Sequence, residues 1–267
     1  MTPALLPLPD THSVLTAPAP WRAIDFLSDL HLGPDTPLTF DAWEAHMRLT
    51  DADAVFILGD LVEMWVGDDG RFDGFDARFT AALTAAAQRR PTYFMIGNRD
   101  FMVGREMLDA CDVTPLPDPT SIDAFGQRAL FVHGDELCLA DTDYQRFRKQ
   151  VRNPAWQQQM LTQSLAMRRQ FARDLREKSE AHQRLAGKSS ELWADIDAPT
   201  AIHWLDLAGA RVLVHGHTHR PATEMLSPTH QRHVLSDWDL DHPPQRAGIL
   251  RWTAAGFERR PPATAPA

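Results

Sequence analysis

Five short apolar runs in this chain end in the same kind of polar cluster, and that repetition constrains the fold more than any other feature. RAIDFLSDLHL (22–32) ends at Asp29 and His31. ADAVFILGDLVE (52–63) ends at Gly59-Asp60, and PTYFMIGNRD (91–100) at Gly97-Asn98. RALFVHGDE (128–136) ends at His133-Gly134, and ARVLVHGHTH (210–219) at Gly216-His217 with His219 two residues on. Short apolar runs read as buried strands, and helical patterns over 38–49 and 75–88 separate the first three. This alternation predicts an α/β fold. Ligands of open α/β sheets bind beyond the carboxyl ends of strands, so the five strand ends are expected to converge on one place. Glycine beside four of the clusters lets the backbone turn sharply and approach a ligand closely.

The clusters have the chemistry of a metal centre. Asp29, His31, Asp60, Asn98, His133, His217 and His219 offer two carboxylates, one amide oxygen and four imidazoles, with no thiolate. That donor set suits Mn, Fe(II), Zn or Co better than Ca or Mg alone. Asp29-Leu30-His31 and His217-Thr218-His219, read as extended segments, each put two donors on one side. Seven donors are too many for one ion with open positions and suit two ions bridged by a carboxylate. Two divalent ions ~3.5–4 Å apart polarise a phosphoryl group and activate water at neutral pH. No Ser-His-Asp arrangement, Walker loop or GxGxxG competes with this reading.

The net charge is −9, which excludes a basic footprint for nucleic acid over the whole chain. The charge is uneven. From Gln145 to Lys188 there are eleven Lys and Arg against three Asp and Glu, so this segment carries +8 and the rest −17. Strand signals vanish over 141–197, while Met160, Leu161, Leu165, Met167, Phe171 and Leu175 recur at helical spacing. The expected organisation is a Pro-rich disordered tail (1–21), one domain (22–258) with a helical insertion at about 141–197, and a loose tail (259–267). No apolar run has the length of a membrane span, and the start has no secretory pattern. Cys111 and Cys138 are expected to be reduced, and the setting cytoplasmic.

The ordered motifs D-x-H, GDxxE, GNRD, HGD and GHTH resemble the calcineurin-like metallophosphoesterases over residues 24 to about 253. The resemblance implies two stacked mixed β-sheets flanked by helices, here with a helical cap. It also implies that Asp29, His31, Asp60 and His219 hold one ion, and that Asp60, Asn98, His133 and His217 hold the other, most readily Mn2+. His215 falls outside both sets and reads as a histidine that packs beside the ligands or supports them from behind. Arg99 stands where the wider family has His. Arg does not release its proton but clamps phosphate with paired donors, which favours cleavage of a pyrophosphate bond with a phosphate leaving group. The stretches GDLVEMWVGDD, GNRDFMVG and FVHGDELCLADTDYQRFR, with the basic helical segment, resemble a branch acting on a UDP-sugar with two acyl chains. That implies a UDP-diacylglucosamine substrate and attack on its α-phosphorus, with Asp60, Asn98, Arg99 and His217 as catalytic groups. Asn98, Arg99, Asp141, Tyr144, Arg176, Ser179, Lys188 and His217 are the implied substrate contacts. The cap would rest peripherally on the cytoplasmic face of the inner membrane, with neither nucleic acid nor an obligate protein partner. Two other readings stay open: a broader pyrophosphatase of soluble nucleotides, and a noncatalytic metal-binding scaffold.

Overall fold

The computed structural model describes residues 5–185 and 195–264, with the side chains of 178–185 left out. Each apolar run becomes a short strand ending before its polar cluster: β2 Ala23–Leu27, β3 Ala54–Leu58, β4 Thr92–Met95, β7 Gln127–Phe131 and β8 Val212–His215. β2, β3 and β4 run parallel in one sheet, and β7 and β8 run parallel in the other. The five carboxyl ends therefore come from two sheets.

With β1 Ser13–Thr16, β5 Thr114–Pro115, β6 Thr120–Ala124, β9 Ala222–Met225, β10 Gln231–Val234, β11 Ile249–Thr253 and β12 Gly256–Arg260, the strand orders are β1-β6-β7-β8-β10-β9 and β12-β11-β2-β3-β4-β5. Alternation along each strand explains the layers. In β2, Ile24 and Phe26 face the other sheet, and Leu27 faces the helices. The inter-sheet core is aromatic: Phe26 stacks on Phe131 at 4.5 Å and lies 5.3 Å from Phe56. Helices α1 Pro37–Leu49, α2 Gly74–Ala87 and α3 Arg105–Ala110 cover the outer face of the β2 sheet, and α7 Ala198–Ala208 covers the other. Helices α4 Thr142–Val151, α5 Pro154–Leu161 and α6 Leu165–Leu185 follow β7. Pro154, without an amide hydrogen to donate, starts α5 behind the Asn153 cap.

Two expectations need correction. The segment expected to be a disordered tail contains β1, which pairs in parallel with β6; Ser13 and Thr120 also join side chains at 2.8 Å. Prolines flank this strand and leave its amide hydrogens free for the sheet edge. At the other end, β12 extends to Arg260, into the segment expected to be loose. Cys111 and Cys138 are both free and buried.

Phe131 is fully buried between the sheets. Phe131→Ala is expected to lower unfolding stability by about 3–5 kcal/mol, since the rigid sheets would leave a cavity. Urea denaturation of the metal-free chain measures this; a loss below about 1 kcal/mol would mean that the sheets close over the gap.

Candidate metal centre

The donors reach one another because the backbone turns left-handed where they stand. Asp29 (φ 56°), His31 (49°), Asp60 (52°), His217 (65°) and His219 (51°) all have positive φ, a region that non-glycine residues seldom occupy. The extended geometry expected for Asp29-Leu30-His31 and His217-Thr218-His219 is thus incorrect. β2 ends at Leu27 and β8 at His215, and αL turns, not strand alternation, bring each pair round. Such turns cost of order 1–3 kcal/mol each and persist where the surroundings over-determine them.

Glycines let the loops interlock. A Cβ at Gly59 would lie 2.6 Å from His133 Nδ1 and 2.7 Å from the Gly97 Cα, and a Cβ at Gly97 would collide with Asp60. The loops after β3 and β4 therefore touch backbone to backbone. Asp100 joins them, accepting hydrogen bonds from the Gly97 amide at 2.7 Å and the Leu61 amide at 2.8 Å. Burial, with the Asp60 carboxylate close by, pushes the Asp100 carboxyl up to about 7.

Donor atoms of Asp29, His31 and His219 lie within 4.8 Å of one another, and so do those of Asp29, Asp60 and His133. Nε2 of His31 is 3.2 Å from Nε2 of His219 and 4.0 Å from Asp60 Oδ2. Asp60 Oδ1 is 3.7 Å from His133 Nε2, so its two oxygens face the two groups. Asn98 Oδ1 lies 2.9 Å from His133 Nε2 and 2.7 Å from His217 Nδ1. All seven expected donors are thus in one place. His215 is buried outside the cluster, with Nδ1 2.9 Å from the Gly216 carbonyl oxygen.

The arrangement fits cations. His133 Nδ1 lies 2.8 Å from the Leu58 carbonyl oxygen, which only an N–H satisfies. Nε2 is then the nitrogen turned to Asn98 Oδ1, and the pair has room for one positive charge between them, a proton or a metal ion in its place. His31 and His219 turn Nδ1 toward Glu63 (3.1 Å) and Asp237 (3.7 Å), which leaves Nε2 inward, as carboxylate–histidine–metal sets do. The field is strongly anionic. Burial opposes protonation of His133, yet Asp60, Asp135 and Asp29 raise it to about 9. Burial would raise the Asp29 carboxyl, but His219, His133 and His31 hold it well below the usual carboxylate range. Burial, with His133 beside it, lowers His217 to about 4.

The other expected site residues divide. Arg99 borders the centre: its amide donates to Asp60 Oδ1 at 2.8 Å, and its Nη1 lies 3.6 Å from Glu63. Arg176 reaches the same carboxylate, Nε to Glu63 Oε1 at 3.7 Å. Tyr144 has its ring 5.6 Å from His217 and donates its hydroxyl to Asp135 at 2.6 Å. Asp141 is exposed and caps α4 by accepting from the Tyr144 amide. The side chain of Ser179 and the whole of Lys188 lie outside the described residues.

Sequence reasoning gave no role to Glu63, Asp100, Asp135 or Asp237, although Glu63, Asp100 and Asp135 stand inside the GDxxE, GNRD and HGD motifs. It also missed the brace from α4. Arg148 pairs with the buried Asp135 at 2.9 Å, and Arg152 donates to the carbonyls of Ile96 (3.1 Å) and Gly97 (2.9 Å), beside Asn98.

Comparisons with known proteins agree with this geometry. Residues 23–221 match the family described as calcineurin-like phosphoesterase. The UDP-2,3-diacylglucosamine hydrolase of Bordetella parapertussis is 41% identical over 231 residues, covering 84% of this chain and 88% of that protein. The protein of the same name from Xanthomonas campestris pv. campestris is 40% identical over 246 residues, covering 87% and 96%. That from Chromobacterium violaceum is 42% identical over 227 residues, covering 81% and 90%.

Arg152→Met keeps the aliphatic stem and removes both hydrogen bonds to the loop that carries Asn98. Affinity for Mn2+ is expected to fall about 10- to 100-fold, the usual cost of losing a group that orients ligands, with the circular dichroism spectrum unchanged. Calorimetric titration with Mn2+ decides; unaltered affinity would show that the brace does not hold the loop.

Proposed function

The chain belongs to the calcineurin-like phosphoesterase family, and on that premise we propose that it hydrolyses the pyrophosphate bond of UDP-2,3-diacylglucosamine, giving UMP and 2,3-diacylglucosamine 1-phosphate. The carrying observation is the extent of the likeness. An alignment over 84% of the chain takes in the central helices, which metal binding does not need, as well as the ligand loops. The relatives' name supplies the substrate, and Arg99 agrees with it.

The resident cofactor in this reading is a pair of divalent ions, assigned as Mn2+, one of the ions that the mixed oxygen and nitrogen donors suit. Asp29, His31, Asp60 and His219 would hold one and Asp60, Asn98, His133 and His217 the other. When bound, they polarise the phosphoryl oxygens and make water nucleophilic at neutral pH. The protein's own groups do the rest. Asp60 presents one oxygen to each side. Asn98, held between two imidazoles, and Arg99, anchored by Glu63, steady the phosphoryl group whose α-phosphorus water attacks in line. Arg99 remains protonated throughout, and the departing sugar phosphate, with a second pKa of about 6, needs no proton donor.

The helices α4 to α6 supply a route for acyl chains. From Tyr144, aromatic rings follow one another through Phe147, Phe101, Trp156 and Phe171, at centroid spacings of 5.9–6.5 Å. Exposed Leu161 and Met167 give the cap an apolar margin. Together with its basic residues, they support peripheral contact with the cytoplasmic face of an anionic inner membrane. Among the described residues, no helix is long and apolar enough to cross one.

With Mn2+, the wild-type chain is expected to cleave UDP-2,3-diacylglucosamine at least about a hundredfold faster than UDP-GlcNAc, since acyl burial adds several kcal/mol. Equal rates would remove the lipid from the reading and leave the metal centre standing. Asp60→Ala is expected to lower kcat about a thousandfold or more and to leave less than two bound ions per chain; near-normal turnover with full metal content would sink the mechanism.

A further inference from the structure

The donor cluster is flanked on two sides, and the two flanks are furnished in opposite ways. On the Asn98 and His217 side stands Tyr144, the first ring of the aromatic route. On the His31 and His219 side lies a cleft of about 750 Å³. Helix α6 divides them. Phe171 turns to Trp156, while Arg169, Arg173, Arg176 and Glu177 line the cleft from the opposite face, at i, i+4, i+7 and i+8 spacing.

Two ladders of charge run from the donors into the cleft. One passes from His31 to Glu63 (3.1 Å), to Arg176 (3.7 Å) and to Asp35 (3.8 Å). The other passes from His219 to Asp237 (3.7 Å) and to Arg246 (2.6 Å). Seven carboxylates and four guanidinium groups line the cleft. This surplus of negative charge makes it a poor place for a phosphate beyond those held at the donors. Acyl chains packed here would strip water from those charges, while Leu32, Met64, Val66, Phe75 and Trp238, which also line the cleft, offer apolar surface to a flat ring. It suits a neutral group rich in hydroxyls and carbonyls. Ribose hydroxyls donate to carboxylates, as they do in dinucleotide sites. Carbonyls of a pyrimidine accept from guanidinium groups, whose planes also stack on rings. The volume lies within the range of about 300–1,000 Å³ typical of small-molecule sites.

We propose that this cleft is the nucleoside subsite: the phosphate of a uridine monophosphate unit sits at the donors, and ribose and base lie between the Asp35–Arg176 wall and the Arg246 wall. The assignment rests on the function proposed above and gives it a direction. The nucleotide half enters on the His31 and His219 side, and the acylated half on the aromatic side, with the scissile bond between.

The test uses the full chain loaded with Mn2+ and calorimetric titration with three probes: UMP, inorganic phosphate and 2,3-diacylglucosamine 1-phosphate. Asp35→Ala and Arg173→Ala alter the cleft walls without touching a metal donor. Each is expected to raise the Kd of UMP about tenfold while phosphate and the acylated sugar phosphate bind as to wild type. Crosslinking of 4-thio-UMP to wild type, expected within residues 33–36, 73–76, 169–177 or 237–246, reads the same subsite without a variant. Unchanged UMP affinity in both variants, or crosslinks confined to 101–160, would overturn the subsite. So would variants that weaken the acylated product instead, which would reverse the orientation. The failure of the functional reading looks different: wild type would bind UMP in the cleft but leave UDP-2,3-diacylglucosamine uncleaved.

Discussion

Two carboxylates buried against four imidazoles form the constraint to which the rest of this structure answers. Asp29 and Asp60 are 0% and 1% exposed, and an ionised carboxylate removed from water costs several kcal/mol unless it is partnered. Each is partnered by backbone as well as by side chains. The His217 amide donates to Asp29 at 3.0 Å, and the Arg99 amide donates to Asp60. These bonds require the loops after β8 and β2, and those after β4 and β3, to lie against each other. The left-handed turns and bare glycines make that approach possible. Strain of this kind survives only on a stiff support. The stacked aromatic core between two six-stranded sheets is that support, since it fixes where all five strands end.

Much of the site was legible in the sequence because strand ends and donor types coincide. The apolar runs located β2, β3, β4, β7 and β8, and helical periodicity located α1 and α2 nearly to the residue. The reason given for the paired donors was wrong, although the donors do meet. Alternation and αL turns both bring residues i and i+2 together, and spacing cannot distinguish them. Strand β1 was missed because prolines and polar residues hide an edge strand, whose pairing depends on a partner over a hundred residues away. Glu63, Asp100, Asp135 and Asp237 were overlooked for a related reason. A carboxylate that orients a ligand looks like any acidic residue until its distance to an imidazole, an amide or an arginine is known.

The basic segment shows how a composition argument changes once contacts are known. On composition alone, its excess of +8 suits an anionic ligand or surface. In the structure, several of its arginines already face carboxylates of the acidic body. Arg148 meets Asp135 and Glu136, Arg169 meets Asp73 and Asp76, and Arg176 meets Glu63 and Asp35. Arg168, only 3% exposed, forks onto Asp69 and the Val66 carbonyl oxygen. Residues that the sequence divides into a basic insertion and an acidic body are therefore two sides of one interface.

That interface bears on function because its carboxylates are not remote from the centre. Glu63 orients His31 while it receives Arg99 and Arg176, and Asp135 receives Tyr144 and Arg148 one residue beyond Gly134. A change in how α6 sits on the body would thus alter the setting of the His31 imidazole and the Arg99 guanidinium through Glu63, with no covalent link between them. The coupling is local and physical: a carboxylate has few good positions between an imidazole N–H and an arginine, and moving either partner moves it. The capping helices and the loops that carry the donors therefore meet at two shared carboxylates, Glu63 and Asp135.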